Sequence, residues 1–252
     1  MSDGSLLTFL LRMGDDALVL GHRLSEWCGR GPALEEDIAL ANTALDLIGQ
    51  TQMWLGLAGE VEGRGRGADD LAMLRDAWEF RNLLLVEQPN GDFGRTIMRS
   101  FLFDVRHHLL LGRLAESSEP RVAAIARKAV KEAAYHADRS GEIVVGLGDG
   151  SEESHRRMRA ALDHLWPYAG EMFADDDADR ALAEAGVAPL PSSLRAEWDA
   201  RVNAVLEEST LRRPEGDFAH AGGRTGRRHS EHLGHMLAQM QWLQRAYPGA
   251  TW

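Results

Sequence analysis

IALANTALDLI (residues 38–48) decides the fold, read together with FLFDV (101–105) and VAAIARKAVKEAAYHADRSGEI (122–143). Each stretch sets an ionisable group on an apolar helical stripe. Asp46 is the only charge between Ile38 and Ile48, and Asp104 follows Phe101-Leu102-Phe103 and precedes Val105. His136 falls on the stripe Val122, Ile125, Ala129, Glu132, His136, Ile143. Charged side chains are rarely buried unless they are paired or bind metal. Carboxylates and a histidine from separate helices are the raw material of a di-iron carboxylate bundle.

On either side of these stretches the dominant period along the chain is helical. Apolar residues recur from Leu6 to Trp27, and Gly29-Arg30-Gly31-Pro32 closes that segment. Pro32 can open a second helix reaching about Gly63, with Ile38, Ala41, Leu45, Ile48 and Leu55 on its apolar side. Further helices are predicted over about Asp69–Val86, Phe93–Ser117, Pro120–Leu147, Glu152–Phe173, Pro191–Leu211 and Gly226–Ala246. Asp175-Asp176-Asp177 reads as a solvated loop or a helix start, and no run reads as a strand. The expectation is one all-α domain over residues 1–252, a ferritin-like four-helix bundle with additional C-terminal helices.

Composition narrows the function. A formal net charge of −11 repels phosphate backbones, so nucleic acid is not expected as a partner. No stretch is apolar for about 20 residues, so no membrane span is expected. The N-terminus does not read as a signal peptide, because Arg12 and Asp15 interrupt its short apolar run. The single cysteine, Cys28, permits no intrachain disulfide, which fits a cytoplasmic location.

Against the di-iron template the chain fails in three places. Two Glu-x-x-His pairs and a carboxylate from each remaining helix are needed. Asp46 is followed three residues on by Gly49, where a histidine is required, and His136 is preceded three residues back by Ala133, where a glutamate is required. The first helix offers Val19 and Leu20 at the expected level, without a carboxylate in Ala17–Leu20. Of roughly six ligands for two irons about three remain. Glu132 could substitute only from about 100° round the helix. The blander expectation is that Asp46, Asp104 and His136 pair with neighbouring Lys or Arg side chains.

Other residues carry weaker signals. His229, His232 and His235 drift round a regular helix, so all three cannot hold one metal; His229 and His232 could chelate zinc if a helix begins between them, and capping or hydrogen bonding is the alternative. His107-His108 point to different faces, one to the core and one outward. The basic, glycine-rich Gly222–Arg228, with Arg224, Arg227 and Arg228, could take a phosphate at a helix N-terminus, or act as a flexible linker or docking loop. Seven tryptophans, among them Trp166, Trp242 and Trp252, suit an interface or a core equally.

Several stretches together carry a family resemblance. They are Leu18-Val19-Leu20, Arg23-Leu24-Ser25-Glu26-Trp27-Cys28-Gly29, Asp37-Ile38-Ala39-Leu40-Ala41-Asn42, and Asn82-Leu83-Leu84-Leu85-Val86-Glu87-Gln88-Pro89-Asn90-Gly91, extended by Glu231-His232-Leu233-Gly234 and Gln241-Trp242-Leu243-Gln244-Arg245. Over nearly its whole length the chain resembles the PaaC-type structural subunits of the bacterial multicomponent phenylacetyl-CoA monooxygenase (1,2-epoxidase), in the ferritin-like PaaA/PaaC family. The resemblance implies a ferritin-like fold without metal or cofactor of its own. It implies a PaaA-type partner that holds the di-iron centre and binds the CoA thioester, and a small PaaB-type bridging subunit. It also implies a reductase component with FAD and iron–sulfur that brings electrons from NADPH. Aligned on that family, Asp46, Asp104 and His136 fall at ligand positions, and Gly49, Ala133 and Val19 at lost ones.

Three functions are therefore weighed. The first is a non-catalytic structural subunit, part of an oxidoreductase complex in aerobic phenylacetate degradation. The second is an autonomous di-metal carboxylate oxidase or iron-binding protein, which needs a complete ligand set. The third is a helical module that holds CoA through Arg224–Arg228.

Overall fold

Two long helical hairpins supply the frame. The first pairs α1 (Asp3–Ser25) with α2 (Leu34–Glu62), and the second pairs α5 (Phe93–Leu114) with α6 (Pro120–Gly148). Each is closed by a short connection, so its helices run antiparallel. The long segment between α2 and α5 is the crossover that a ferritin-like bundle requires. The computed structural model describes residues 3–216 and 218–250, which contain helices and no strand. Helix α7 (Glu152–Ala169) packs on α5 and α6, α8 (Asp177–Glu184) on α1, α9 (Arg195–Glu208) on α5 and α6, and α10 (Glu231–Ala246) on the crossover. No helix is long and apolar enough to cross a membrane among the described residues.

Local chemistry places these boundaries. Asp92 accepts the backbone N–H of Arg95 at 2.8 Å and caps α5. Pro120 opens α6 in the first turn, where its missing N–H costs nothing. Helix α1 approaches α2 closely because Gly14 lacks a side chain: a Cβ there would run into the side chain of Leu55. The last turn of the expected 152–173 helix tightens to a 3-10 turn at Gly170–Phe173, and the expected 191–211 helix opens as a 3-10 turn at Pro191–Leu194.

The crossover differs from the expected Asp69–Val86 helix. It breaks into α3 (Ala68–Met73), a 3-10 turn at Ala77–Glu79 and α4 (Leu84–Glu87). The reason lies in α1, where Asp15 and Asp16 are buried. Asp15 takes the Arg75 guanidinium and the backbone N–H of Arg81, the latter at 2.8 Å. Asp16 takes the backbone N–H of Leu83 at 2.7 Å and lies 4.0 Å from Arg106. Donors that a helix would use internally are spent on carboxylates of another helix.

The buried side of α2 also differs. Of the five residues expected on its apolar side, Leu55 is buried, Ala41 is half-buried, and Ile38, Leu45 and Ile48 are exposed. The core side is Leu40, Ala44, Leu47, Thr51, Trp54 and Ala58. Helix α2 is apolar on two sides, and Gln50 and Thr51, which mark the inner one, are polar. The tryptophans divide as well. Trp54, Trp166 and Trp198 are buried and Trp198 donates to the Leu102 carbonyl at 3.0 Å, tying α9 to α5, whereas Trp78 and Trp242 are exposed. Trp252 lies outside the described residues.

Asp15→Asn removes the charge from a fully buried pair and leaves Arg75 uncompensated. The expected loss is about 3–5 kcal/mol of unfolding free energy in urea titration. A loss below about 1 kcal/mol, the range of an exposed pair, would contradict this account.

Candidate functional site

The residues singled out from sequence meet along the seam where α2 crosses α6, with α5 behind. Helices α2 and α6 run antiparallel there: Glu36 pairs with Arg139, Asp46 with His136, and Gln50 with Glu132. His136 is buried and its Nε2 donates to Oδ2 of Asp46 at 3.0 Å, while its Nδ1 has no partner. Ser140, one turn on, donates to Oδ2 of Asp104 at 3.0 Å and to the His136 carbonyl at 2.7 Å. Gln50 bridges two helices. Its Nε2 donates to Glu132 at 3.0 Å, and its Oε1 accepts from Nε2 of the buried His107 at 2.8 Å. His107 also stacks on Phe103, 5.0 Å between centroids, whereas His108 is only partly buried.

Two expectations are corrected here. Asp46, Asp104 and His136 do not take Lys or Arg as their hydrogen-bond partners: Asp46 and His136 take each other, and Asp104 takes Ser140. Nor is Asp46 enclosed, since its side chain is 39% exposed. It stands at the mouth of the seam rather than in the core.

Electrostatics follow burial. Removal from water pushes the Asp104 carboxyl up to about 6, against the opposing pull of His136 and the Ser140 hydroxyl. The same desolvation, helped by Arg106, pushes His107 down to about 3, so it is a neutral hydrogen-bond donor at ordinary pH.

These residues do not fit a di-iron group. Val19 and Ala133, expected at two of the ligand positions, are fully buried apolar side chains. Gly49 does not face the interior: a Cβ built there meets no atom within 4 Å, and Gln50 takes the inward place. Of the three that remain, Asp46 and His136 are bonded to each other and Asp104 to Ser140, and no group of three His, Cys, Asp or Glu side chains is arranged to hold a metal among the described residues. The arrangement works as a polar zipper that sets the register of three helices.

The other candidates have structural partners. Helix α10 begins at Glu231, later than the expected Gly226, so it does start between His229 and His232. His229, however, is engaged: Nδ1 lies 3.0 Å from Glu87 and Nε2 lies 3.3 Å from the Phe80 carbonyl. His232 is partly buried and His235 exposed. The Gly222–Arg228 loop is no flexible linker. Arg224 is buried and donates to both oxygens of Asp179 at 2.9 and 3.2 Å. The backbone N–H groups of Gly222 and Arg224 donate to Glu171 at 2.8 and 3.2 Å. The anion held by this loop is the protein's own carboxylate; Arg227 and Arg228 stay exposed.

Sequence reading missed the largest ionic cluster. Arg12 of α1 pairs with Asp176 and Asp179, the second at 3.2 Å, and donates to the Arg224 carbonyl at 3.0 Å. The Asp175–Asp177 run is therefore anchored through Asp176, which caps α8 and is held below the usual carboxylate range by Arg12 in spite of partial burial. The available signal was Arg12, Asp15 and Asp16 set in an otherwise apolar run.

Asp104→Asn should reveal the cost of that buried carboxyl. With its folded value raised to about 6 from 3.8, wild type holds a proton that the unfolded chain has lost between those pH values. This group's stabilising contribution is complete below the unfolded value and is lost as pH rises to about 6. The variant should therefore gain on wild type across that window by about 1–3 kcal/mol, and not beyond it. Paired urea titrations from about pH 4 to 8 measure it, and a pH-independent difference would refute it.

The profile of the Phenylacetic acid catabolic protein family matches residues 1–252. Among characterised proteins, the chain is similar to a subunit of the 1,2-phenylacetyl-CoA epoxidase of Escherichia coli (strain K12). The two are 48% identical over 247 residues, which cover 98% of this chain and 99% of that protein.

Proposed function

The chain belongs to the phenylacetic acid catabolic protein family, and from that premise we propose that it is the non-catalytic structural subunit of a phenylacetyl-CoA 1,2-epoxidase. It pairs with a di-iron PaaA-type catalytic subunit and stabilises it. A PaaB-type subunit bridges the assembly, and a reductase with FAD and iron–sulfur delivers electrons from NADPH. The proposed location is cytoplasmic.

The observation that carries this reading is the similarity, nearly end to end, to one of the subunits of that enzyme. The seam supports the structural rather than the catalytic role. Where a catalytic bundle needs metal ligands, this chain has Val19, Ala133 and an outward Gly49, and its surviving Asp46 and His136 are bonded to each other. An autonomous di-metal oxidase or iron-binding protein is disfavoured by the same residues. A CoA-holding loop is disfavoured because Arg224 is spent on Asp179.

Two outcomes are expected. The chain expressed alone with excess iron carries far less than one iron per molecule by elemental analysis; about two irons per chain would overturn the reading. Co-expressed with the di-iron subunit, it elutes with it as one species on size-exclusion chromatography at micromolar concentration. Two separate peaks, with the di-iron subunit fully active alone, would refute the pairing.

A further inference from the structure

Glu87 and His229 form the only acid–imidazole pair buried on both sides among the described residues, with side chains 0 and 3% exposed. A carboxylate taken wholly out of water needs a cation or a full set of donors. Glu87 has no Lys or Arg in ion-pair contact, and His229 is its one candidate cation. Its Oε1 accepts the backbone N–H of Ser230 at 2.6 Å. Its Oε2 faces Nδ2 of Asn82 at 3.2 Å and Nδ1 of His229 at 3.0 Å.

The far end of the ring decides its form. Nε2 of His229 lies 3.3 Å from the Phe80 carbonyl oxygen, so both ring nitrogens face oxygen acceptors. A neutral imidazole has one donor and one bare nitrogen, whereas the imidazolium has two donors. Only the charged ring serves both contacts. The other charges packed around it are Arg81 of the crossover and Arg23 of α1. Arg81 shares the Phe80 carbonyl at 2.7 Å, and Arg23 donates to the Glu87 and His232 carbonyls at 2.8 and 3.4 Å. Both cations oppose a charged ring, but each reaches it only through a carbonyl, while the Glu87 carboxylate touches it directly.

We infer that His229 is held as an imidazolium between Glu87 and the Phe80 carbonyl, so that one proton fastens the start of α10 to the crossover. The Ser230 side chain does not cap α10, and the Glu87 carboxylate takes a backbone N–H there instead. Without the proton, a bare nitrogen would face an oxygen and a buried carboxylate would lose its cation. The far end of α10 is held separately, where Gln241 donates to the Ala72 and Arg75 carbonyls at 2.9 Å each. The clasp is therefore pH-sensitive, and its sign follows from counting protons. An unfolded histidine is largely neutral above about pH 7. The folded chain then holds one proton more than the unfolded chain, so rising pH favours unfolding. The inference does not depend on the structural-subunit reading.

The full-length chain supplies two measurements. The first is the ¹⁵N spectrum of the His229 ring in wild type at about pH 7.5, a pH at which a free histidine is mostly neutral. Both ring nitrogens should carry a proton. The second is the pH profile of unfolding in urea for wild type and Glu87→Gln. In the variant, an amide N–H can donate to Nδ1 of a neutral ring while the amide oxygen keeps the Ser230 bond, so the extra proton is no longer required. The unfolding constant of wild type should rise relative to the variant by about fivefold to tenfold per pH unit from about pH 7.5 to 8.5, as release of one proton demands. A bare ring nitrogen at pH 7.5, or parallel profiles for the two proteins, overturns the inference. If Glu87→Gln does not fold, the wild-type ring spectrum decides alone.

Discussion

Two adjacent carboxylates near the middle of α1 hold the rest of the molecule in place. Asp15 and Asp16 are buried where a bundle helix is ordinarily apolar, and between them they bind Arg75, Arg106 and the backbone N–H groups of Arg81 and Leu83. Those contacts fix the crossover that returns the chain from α2 to α5. Burial pushes Asp16 up to about 7 against the pull of Arg106, whose own value burial lowers to about 10. The fold thus tolerates a costly charge to secure its crossover. An apolar pair of the same volume could pack as well, but it could not accept the backbone donors of an irregular segment.

The seam of α2, α5 and α6 follows the same logic on a smaller scale. A metal in such a position would neutralise carboxylates and fix helix register together. Here Asp46 to His136, Ser140 to Asp104, and His107 through Gln50 to Glu132 perform the second task alone. Each polar group draws its partner from another helix of the bundle. Sliding one helix by a turn would break every bond that helix makes in the seam.

Helix positions and the all-α class were legible because the apolar period is long and Pro120, Asp92 and the glycine clusters punctuate it. The split between His107 and His108 was legible from their adjacency. The inner side of α2 was not, because two apolar faces compete and the period alone cannot rank them. The burial of Arg12, Asp15 and Asp16 was not either, since their partners lie far along the chain, Arg75 and Arg106 for the two carboxylates and Asp179 and Arg224 for Arg12. Spacing locates a ligand set on neighbouring helices, but it says nothing of which charges will be bonded to each other.

The clasp around Glu171 has a consequence for the order in which the protein acquires its structure. Its carboxylate receives Leu84 from one side and Gly222 and Arg224 from the other, while Arg12 reaches the Arg224 carbonyl across 212 positions of chain. During synthesis α1 emerges well before the residues that complete its contacts. Until residues 222–229 emerge, Glu171, Asp179 and Glu87 lack cations and donors that the finished core gives them. Contacts of such long sequence separation close slowly and leave a partly exposed intermediate. The 222–229 segment therefore acts as a latch, and the bundle is committed to its native arrangement only once that segment has been made.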